Sequence, residues 1–137
     1  MAFTPINYDS GKLIQLPTAA SITFAKGNAV VDNGSGYITN AASSTAVDVY
    51  YVAAEDLTSG ASVGDMLTCY VTEGIRFVAD TDANPAQTDV GTYADLATVS
   101  TVNPDASTND LFYIESIKGA VADKKVIGYF VHGTPNS

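Results

Sequence analysis

The chain is 137 residues long, 46% hydrophobic and 15% charged, which suits one domain with its own core and is too poor in charge for a disordered tail. Its net charge of −9, with Arg76 the sole arginine, is the wrong sign for neutralising phosphates, so no direct nucleic-acid binding is expected. No apolar run approaches the roughly 18 residues of a membrane-spanning helix, so no membrane partner is expected either.

The N-terminal MAFTPINYDSGK has no basic region followed by an apolar run, so no secretory signal is expected and Met1 reads as the mature start. Residues 1–20 carry Pro5 and Pro17 in an irregular mix and read as an extended arm. Its apolar anchors are Phe3, Ile6, Tyr8, Leu13 and Leu16. An arm so apolar is seldom left in water; it lies on its own core or on a neighbour.

Residues 21–137 read as a β-barrel-like domain. Candidate strands follow in order: SITF (21–24), NAVVD (28–32), GYITNA (36–41), VDVYYVAAE (47–55), DMLTCYVT (65–72), IRFVAD (75–80), LFYIESIK (111–118) and KVIGYFVH (125–132). All are rich in Val, Ile, Tyr, Phe and Thr. The breakers NGSG, TSGASVGD, EG and KGAVADKK supply turns between them. Alternation is partial: in LFYIESIK, Leu111, Tyr113, Glu115 and Ile117 oppose Phe112, Ile114, Ser116 and Lys118, and neither face is wholly polar. Helix signals are poor. The best segments are AEDLTSGA, with one turn before Gly60, and TYADLATV at 92–99. Residues 80–110 form a long loop in which Gly91, Tyr93 and Leu96 indicate a packed strand or turn. The fold class expected is therefore mainly β: a small single-domain barrel or sandwich with an extended N-terminal arm and little helix.

The residues that could carry chemistry are few. Cys69 is the only cysteine, excludes an intramolecular disulfide, and sits in the apolar MLTCYVT, where a buried structural thiol is expected. His132 is the only histidine; a Cys69–His132 dyad would have no third group to orient it. DTDAN at 80–84 resembles the start of a calcium loop, but Pro85 stands where the turn glycine belongs and Gly91 where the bidentate glutamate belongs. A solvated turn is the better reading. No GxSxG elbow or phosphate loop occurs. The acid pairs Glu55/Asp56 and Asp80/Asp82 are adjacent or alternate, and glycoside hydrolysis needs carboxylates about 5–9.5 Å apart across a cleft. No enzymatic activity, cofactor or metal is expected. A glycan-binding module resting on the eight tyrosines remains an alternative, weakened by the lack of tryptophan.

The order of signals carries a resemblance. FAKGNAVV, then GYITNAASS, then VAAEDLTSGASVGD, then VGTYADL, then the closing KVIGYFV together resemble the head decoration, or cement, proteins of tailed bacteriophages, over about residues 20 to 131. The resemblance implies a structural virion protein, made in the host cytoplasm and bound as a homotrimer to the outer surface of the capsid. It implies the major capsid protein as partner, with adjacent subunits bridged. The capsid contacts would fall to the arm, at Phe3, Ile6, Tyr8 and Leu13. Another β-rich virion component, such as a head-fibre base or tail adaptor, is the alternative.

Overall fold

The computed structural model describes residues 3–6 and 12–132; Tyr8 lies outside them. In chain order the strands are β1 (Thr4–Pro5), β2 (Lys12–Pro17), β3 (Thr23–Phe24), β4 (Ala29–Asp32), β5 (Ile38–Asn40), β6 (Tyr51–Ala53), β7 (Leu57–Thr58), β8 (Met66–Val71), β9 (Phe77–Thr81), β10 (Tyr93–Thr98), β11 (Thr101–Asn103), β12 (Phe112–Ile117) and β13 (Lys125–Phe130). Helix among the described residues is confined to two single 3₁₀ turns, Gln87–Asp89 and Val121–Asp123. The mainly-β expectation holds.

Strands β9, β11, β10, β12 and β13 form a closed five-stranded barrel. Closure comes from β9 and β13, paired antiparallel from Phe77↔Gly128 to Asp80↔Lys125. Strand β11 runs parallel to β9, and the other contacts are antiparallel. Because side chains alternate along a strand, one set fills the barrel: Phe77 and Ala79, Ala94 and Leu96, Val102, Phe112 and Ile114, Val126 and Phe130, all buried. The other set, including Val78, Tyr93, Tyr113, Ile127 and Tyr129, faces outward.

The second sheet has the order β2-β8-β6-β4-β5. On one face Ala29, Val52 and Tyr70 join the barrel core. On the other, Val30, Ile38, Ala53, Leu67 and Cys69 form a separate core with Phe24. The ribbon β3–β7, in which Phe24 opposes Leu57, belongs to that second cluster. A lone parallel bridge, Thr18↔Ile38, brings the chain after β2 to β5 and curls the sheet almost shut. Turn chemistry acts as its composition suggests in NGSG: Asp32 Oδ1 accepts the N–H groups of Gly34 and Gly36, both at positive φ that glycine adopts without strain.

Several sequence expectations change. Both helical candidates are strands: AEDLTSGA contributes β7 and TYADLATV contributes β10. Long-range pairing outweighs weak local propensity there. The strand expected over 47–55 is limited to Tyr51–Ala53. The expected arm supplies two strands of its own chain. Strand β1 pairs with the first half of β9, on the side where β11 takes its second half. Strand β2 pairs with β8 over six residues, Lys12↔Val71 to Pro17↔Met66. Phe3 enters the barrel core, 1% exposed, with its ring centroid 4.7 Å from Phe130, 5.7 Å from Phe112 and 6.4 Å from Phe77.

Gly128 lies opposite Ile114 on the inward row of β13, beside an irregularity in the register of β12. A Cβ there would stand 1.9 Å from the Tyr113 carbonyl oxygen and 2.8 Å from the Phe112 ring. Backbone cannot move aside as a flexible side chain can, so the barrel needs a glycine where β12 and β13 come closest.

Three substitutions test this packing, each read from its urea unfolding midpoint. Phe3→Ala should lose about 3–5 kcal/mol, the range for truncating a buried phenylalanine. The exposed Ile6→Ala should stay within about 0.5 kcal/mol of the parent. Gly128→Ala should lose about 3 kcal/mol, the upper end for overpacking a core; a neutral result would mean that the β12–β13 approach is looser than described.

Candidate functional site

The residues expected to contact a partner are scattered by the fold. Phe3 is a core residue, so its side chain has no free surface to offer. Ile6 and Leu13 are 48% and 51% exposed. Ile6 follows β1, and its N–H donates to the Arg76 carbonyl at 3.0 Å. Leu13 is on β2, opposite Tyr70.

The most organised exposed feature is on the outer barrel wall. Tyr93, Tyr113 and Tyr129 sit opposite one another on β10, β12 and β13. Their ring centroids are 5.2 and 5.1 Å apart, the second pair stacked at 30°. Rings at directly paired cross-strand positions attract one another and hold the register. Burial, followed by the charges of Tyr113, Tyr93 and Glu115, pushes the Tyr129 hydroxyl above the usual phenol range, against a smaller pull from Arg76. Arg76 Nε donates to Glu115 Oε1 at 2.6 Å beside this row. The tyrosines of YADL, FYI and GYF each alternate with buried apolar residues. That was the available signal for the row; their alignment needed the strand order.

Next to Tyr129 is an open cleft of about 310 Å³, lined by Thr72, Gly74, Ile75, Arg76, Tyr129, Phe130 and His132. Thr72 and His132 engage each other in it. Thr72 Oγ1 donates to the Val49 carbonyl at 2.9 Å and meets His132 Nε2 at 2.7 Å. The hydroxyl proton is thus used, and the ring nitrogen supplies the N–H to the oxygen lone pair. The His132 ring stacks on Tyr50, with centroids 4.7 Å apart.

Other candidate groups are placed separately. Cys69 is fully buried in the second core, and burial, with a smaller push from Glu55, raises its thiol pKa to about 12. A thiol so raised gives almost no thiolate nucleophile at neutral pH, and His132 is in the cleft on the barrel side. Glu55 and Asp56 accept backbone N–H groups, of Thr68 and Lys26 respectively, both at 2.7 Å. In DTDAN, Asp80 faces Lys125, whose Nζ donates to its Oδ1 at 2.5 Å. Thr81 Oγ1 donates to the Ala83 carbonyl at 2.6 Å, closing a turn. Among the described residues no group of three or more histidine, cysteine, aspartate or glutamate side chains could hold a metal. The loop between β11 and β12 is organised by Asp95, whose carboxylate accepts the N–H groups of Thr108, Asn109 and Asp110 at 3.1, 2.7 and 2.9 Å. The sequence reading of 80–110 as a long loop missed this carboxylate.

No protein-family model matches the chain, and no curated protein matches it. Among solved structures it is similar to the N base of the head fibre protein gp8.5 of bacteriophage phi29. The two are 13% identical, with a TM-score of 0.57 over 88% of this chain and 95% of that one. A likeness at that identity is one of fold, and it spans both lobes.

The Asp80–Lys125 pair gives a pH-dependent contribution to stability. Burial of Asp80 acts to raise its pKa, but the hydrogen bond and charge of Lys125 oppose it, and the net direction is downward. A carboxyl with a lowered folded pKa adds stability above its unfolded value, about 3.9, and loses it as pH falls through the folded value. Lys125 is 37% exposed, so water screens the pair. Lys125→Met should cost about 1 kcal/mol at pH 7. The gap between parent and variant in urea midpoint should narrow as pH falls through the lowered folded value and Asp80 takes up its proton. A gap that stays constant to the acid end of the folded range would show that the lysine acts through packing alone.

Proposed function

We propose that this chain is a non-enzymatic structural protein of a tailed-phage virion, docked on the outer surface of the head. The observation that carries the reading is the fold likeness to the phi29 head-fibre base, which extends over nearly all of both chains. The motif order from FAKGNAVV to KVIGYFV, similar to head decoration proteins, points to the same part of a virion by a separate route. The composition is compatible. Low charge, a closed barrel and few reactive side chains suit a rigid body that works by adhesion.

Within this reading there are two forms. As a decoration protein, the chain docks as a homotrimer and bridges adjacent major capsid protein subunits, so that many weak contacts add by avidity across the lattice. As the base of a head fibre, it anchors a projecting structure at discrete positions, as the name of the similar structure suggests. In either form the exposed side chains of Ile6 and Leu13 are contact candidates, and Phe3 serves by fixing the N-terminal segment to the barrel. The tyrosine row gives little support to the glycan-binding alternative, because its rings pack against one another and leave less face for a sugar.

The test uses heads of the encoding phage, produced without this protein. The purified full chain should co-sediment with them and raise their thermal rupture temperature. Ile6→Asp combined with Leu13→Asp should weaken binding while leaving the urea midpoint within about 1 kcal/mol of the parent. Gold-labelled chains spread evenly over the head support the decoration form; labels at a few discrete sites support the fibre base. No co-sedimentation, or label on the tail alone, overturns the proposal.

A further inference from the structure

The tyrosine row does not stop at Tyr129. Strand β13 pairs with β9 as far as Gly128↔Phe77, so the next position along places Tyr129 opposite Arg76, and both side chains line the same cleft. Strand β1 pairs with β9 as far as Pro5↔Phe77, and one step further the Ile6 N–H donates to the Arg76 carbonyl at 3.0 Å. Tyr93, Tyr113, Tyr129, Arg76 and Ile6 are therefore one cross-strand row over β10, β12, β13, β9 and β1. Tyr93 and Tyr113 are half-buried in it, and the other three are exposed. Strands β10, β12, β13 and β9 are four of the five that close the barrel. The row thus turns with the wall, round more than half of the circumference, before it ends on β1. Its charge is matched. Arg76 Nε and Nη2 donate to Glu115 Oε1 and Oε2 at 2.6 and 3.3 Å, so the row adds no net charge to a chain whose total is −9. Aromatic side chains and arginine are the types that the centres of protein interfaces concentrate.

We propose that this row seats the barrel in a concave, uncharged cleft between two subunits of the head protein, one subunit on the Tyr93 side and the other on the Ile6 side. The proposal rests on the virion reading above and deepens it. Curvature selects the shape of the partner. Strands are about 4.8 Å apart, so a flat surface resting on the middle three side chains would span only about 10 Å of the row. That buries far less than the roughly 800 Å² per side of a stable pair. A second copy of this barrel is convex along the same row, and two convex walls meet over less still. A seat with two walls reaches all five positions. Matched charge selects its chemistry, because a charged wall pressed against this row would be desolvated with no opposite charge to meet it. Phenol hydroxyls covered by such a seat need hydrogen-bond partners in it. One rigid body touched on two sides bridges two subunits by itself. Leu13, on the other sheet, is off the row.

The experiment uses the full chain and heads produced without it. The photo-cross-linking residue p-benzoylphenylalanine takes the place of Tyr93, of Ile6, or of both, and the chains are bound to heads and irradiated. Each single replacement should capture one head subunit, and the double replacement should yield a product with two, read by mass. The same residue in place of Val63, 50% exposed but off the row, should capture none. Without any cross-linker, Tyr113→Ala should weaken head binding at least about tenfold, with circular dichroism showing the fold retained. Affinity of the parent should change less than about threefold between about 0.05 and 0.5 M salt, since the contact is neutral. If the parent does not co-sediment with heads, the virion reading fails and this proposal with it. If the parent binds, then capture from one end alone, capture of a second copy of the chain, capture from position 63 equal to that from the row, unchanged binding by Tyr113→Ala, or a larger salt effect overturns this proposal and leaves the virion reading standing.

Discussion

The fold depends on four phenylalanine rings that meet inside the barrel, and one of them comes from the start of the chain. Phe77, Phe112 and Phe130 are on β9, β12 and β13, and Phe3 is set among them, with the Phe77–Phe130 and Phe112–Phe130 centroids 5.4 and 5.2 Å apart. These spacings and the near-perpendicular planes of those two pairs lie in the favourable range for aromatic contacts. Together the rings tie three strands distant in sequence to the N-terminal segment. Their closeness also explains Gly128, whose missing side chain gives the Phe112 ring its space. The N–H of Phe3 donates to the Gly27 carbonyl at 3.0 Å, so the same residue also joins the barrel to the second sheet.

How much of this could be read from the sequence differs by element. Strands with dense β-branched or aromatic residues, such as AVVD, MLTCYV and KVIGYF, declare themselves. Strand β2 does not, because KLIQLP ends on a proline and follows a polar stretch, and its pairing with β8 is what makes it a strand. YADLAT carries three residues with poor strand preference, Ala94, Asp95 and Ala97. Ala94 is needed for its small volume in the barrel, and Asp95 for the three backbone N–H groups it collects. Local propensity has no access to either requirement. Phe3 shows the same limit from the other side: an apolar residue near a terminus reads as sticky, but whether its own core or a partner receives it is a long-range fact.

The candidate surface shares that division. Alternation marks Tyr93, Tyr113 and Tyr129 as outward-facing one strand at a time. Their alignment depends on the order β10-β12-β13 and on paired registers. The cleft beside them draws Thr72 and Ile75 from the β8–β9 connection and His132 from beyond β13, sixty residues away from Thr72. There Thr72 and His132 hold each other by a hydrogen bond, and the His132 ring stacks on Tyr50. Side chains already held by ring contacts and by the Arg76–Glu115 pair have less rotamer freedom to lose when a surface is covered.

Edge protection connects the two lobes. The barrel closes on itself through β9 and β13, so that each of its five strands has a strand partner on both sides. The second sheet closes only as far as the Thr18↔Ile38 bridge, because Pro17 ends β2 and the chain turns away to reach Ile38. Extending that closure along β2 would require a longer β5, and the NGSG turn with its Asp32 contacts sets β5 at three residues. Among the described residues, Leu13 and Gln15 are left without a strand partner on their outer side as a consequence of how the hairpin β4–β5 is built. One short turn in the sequence thus decides how far the second sheet closes.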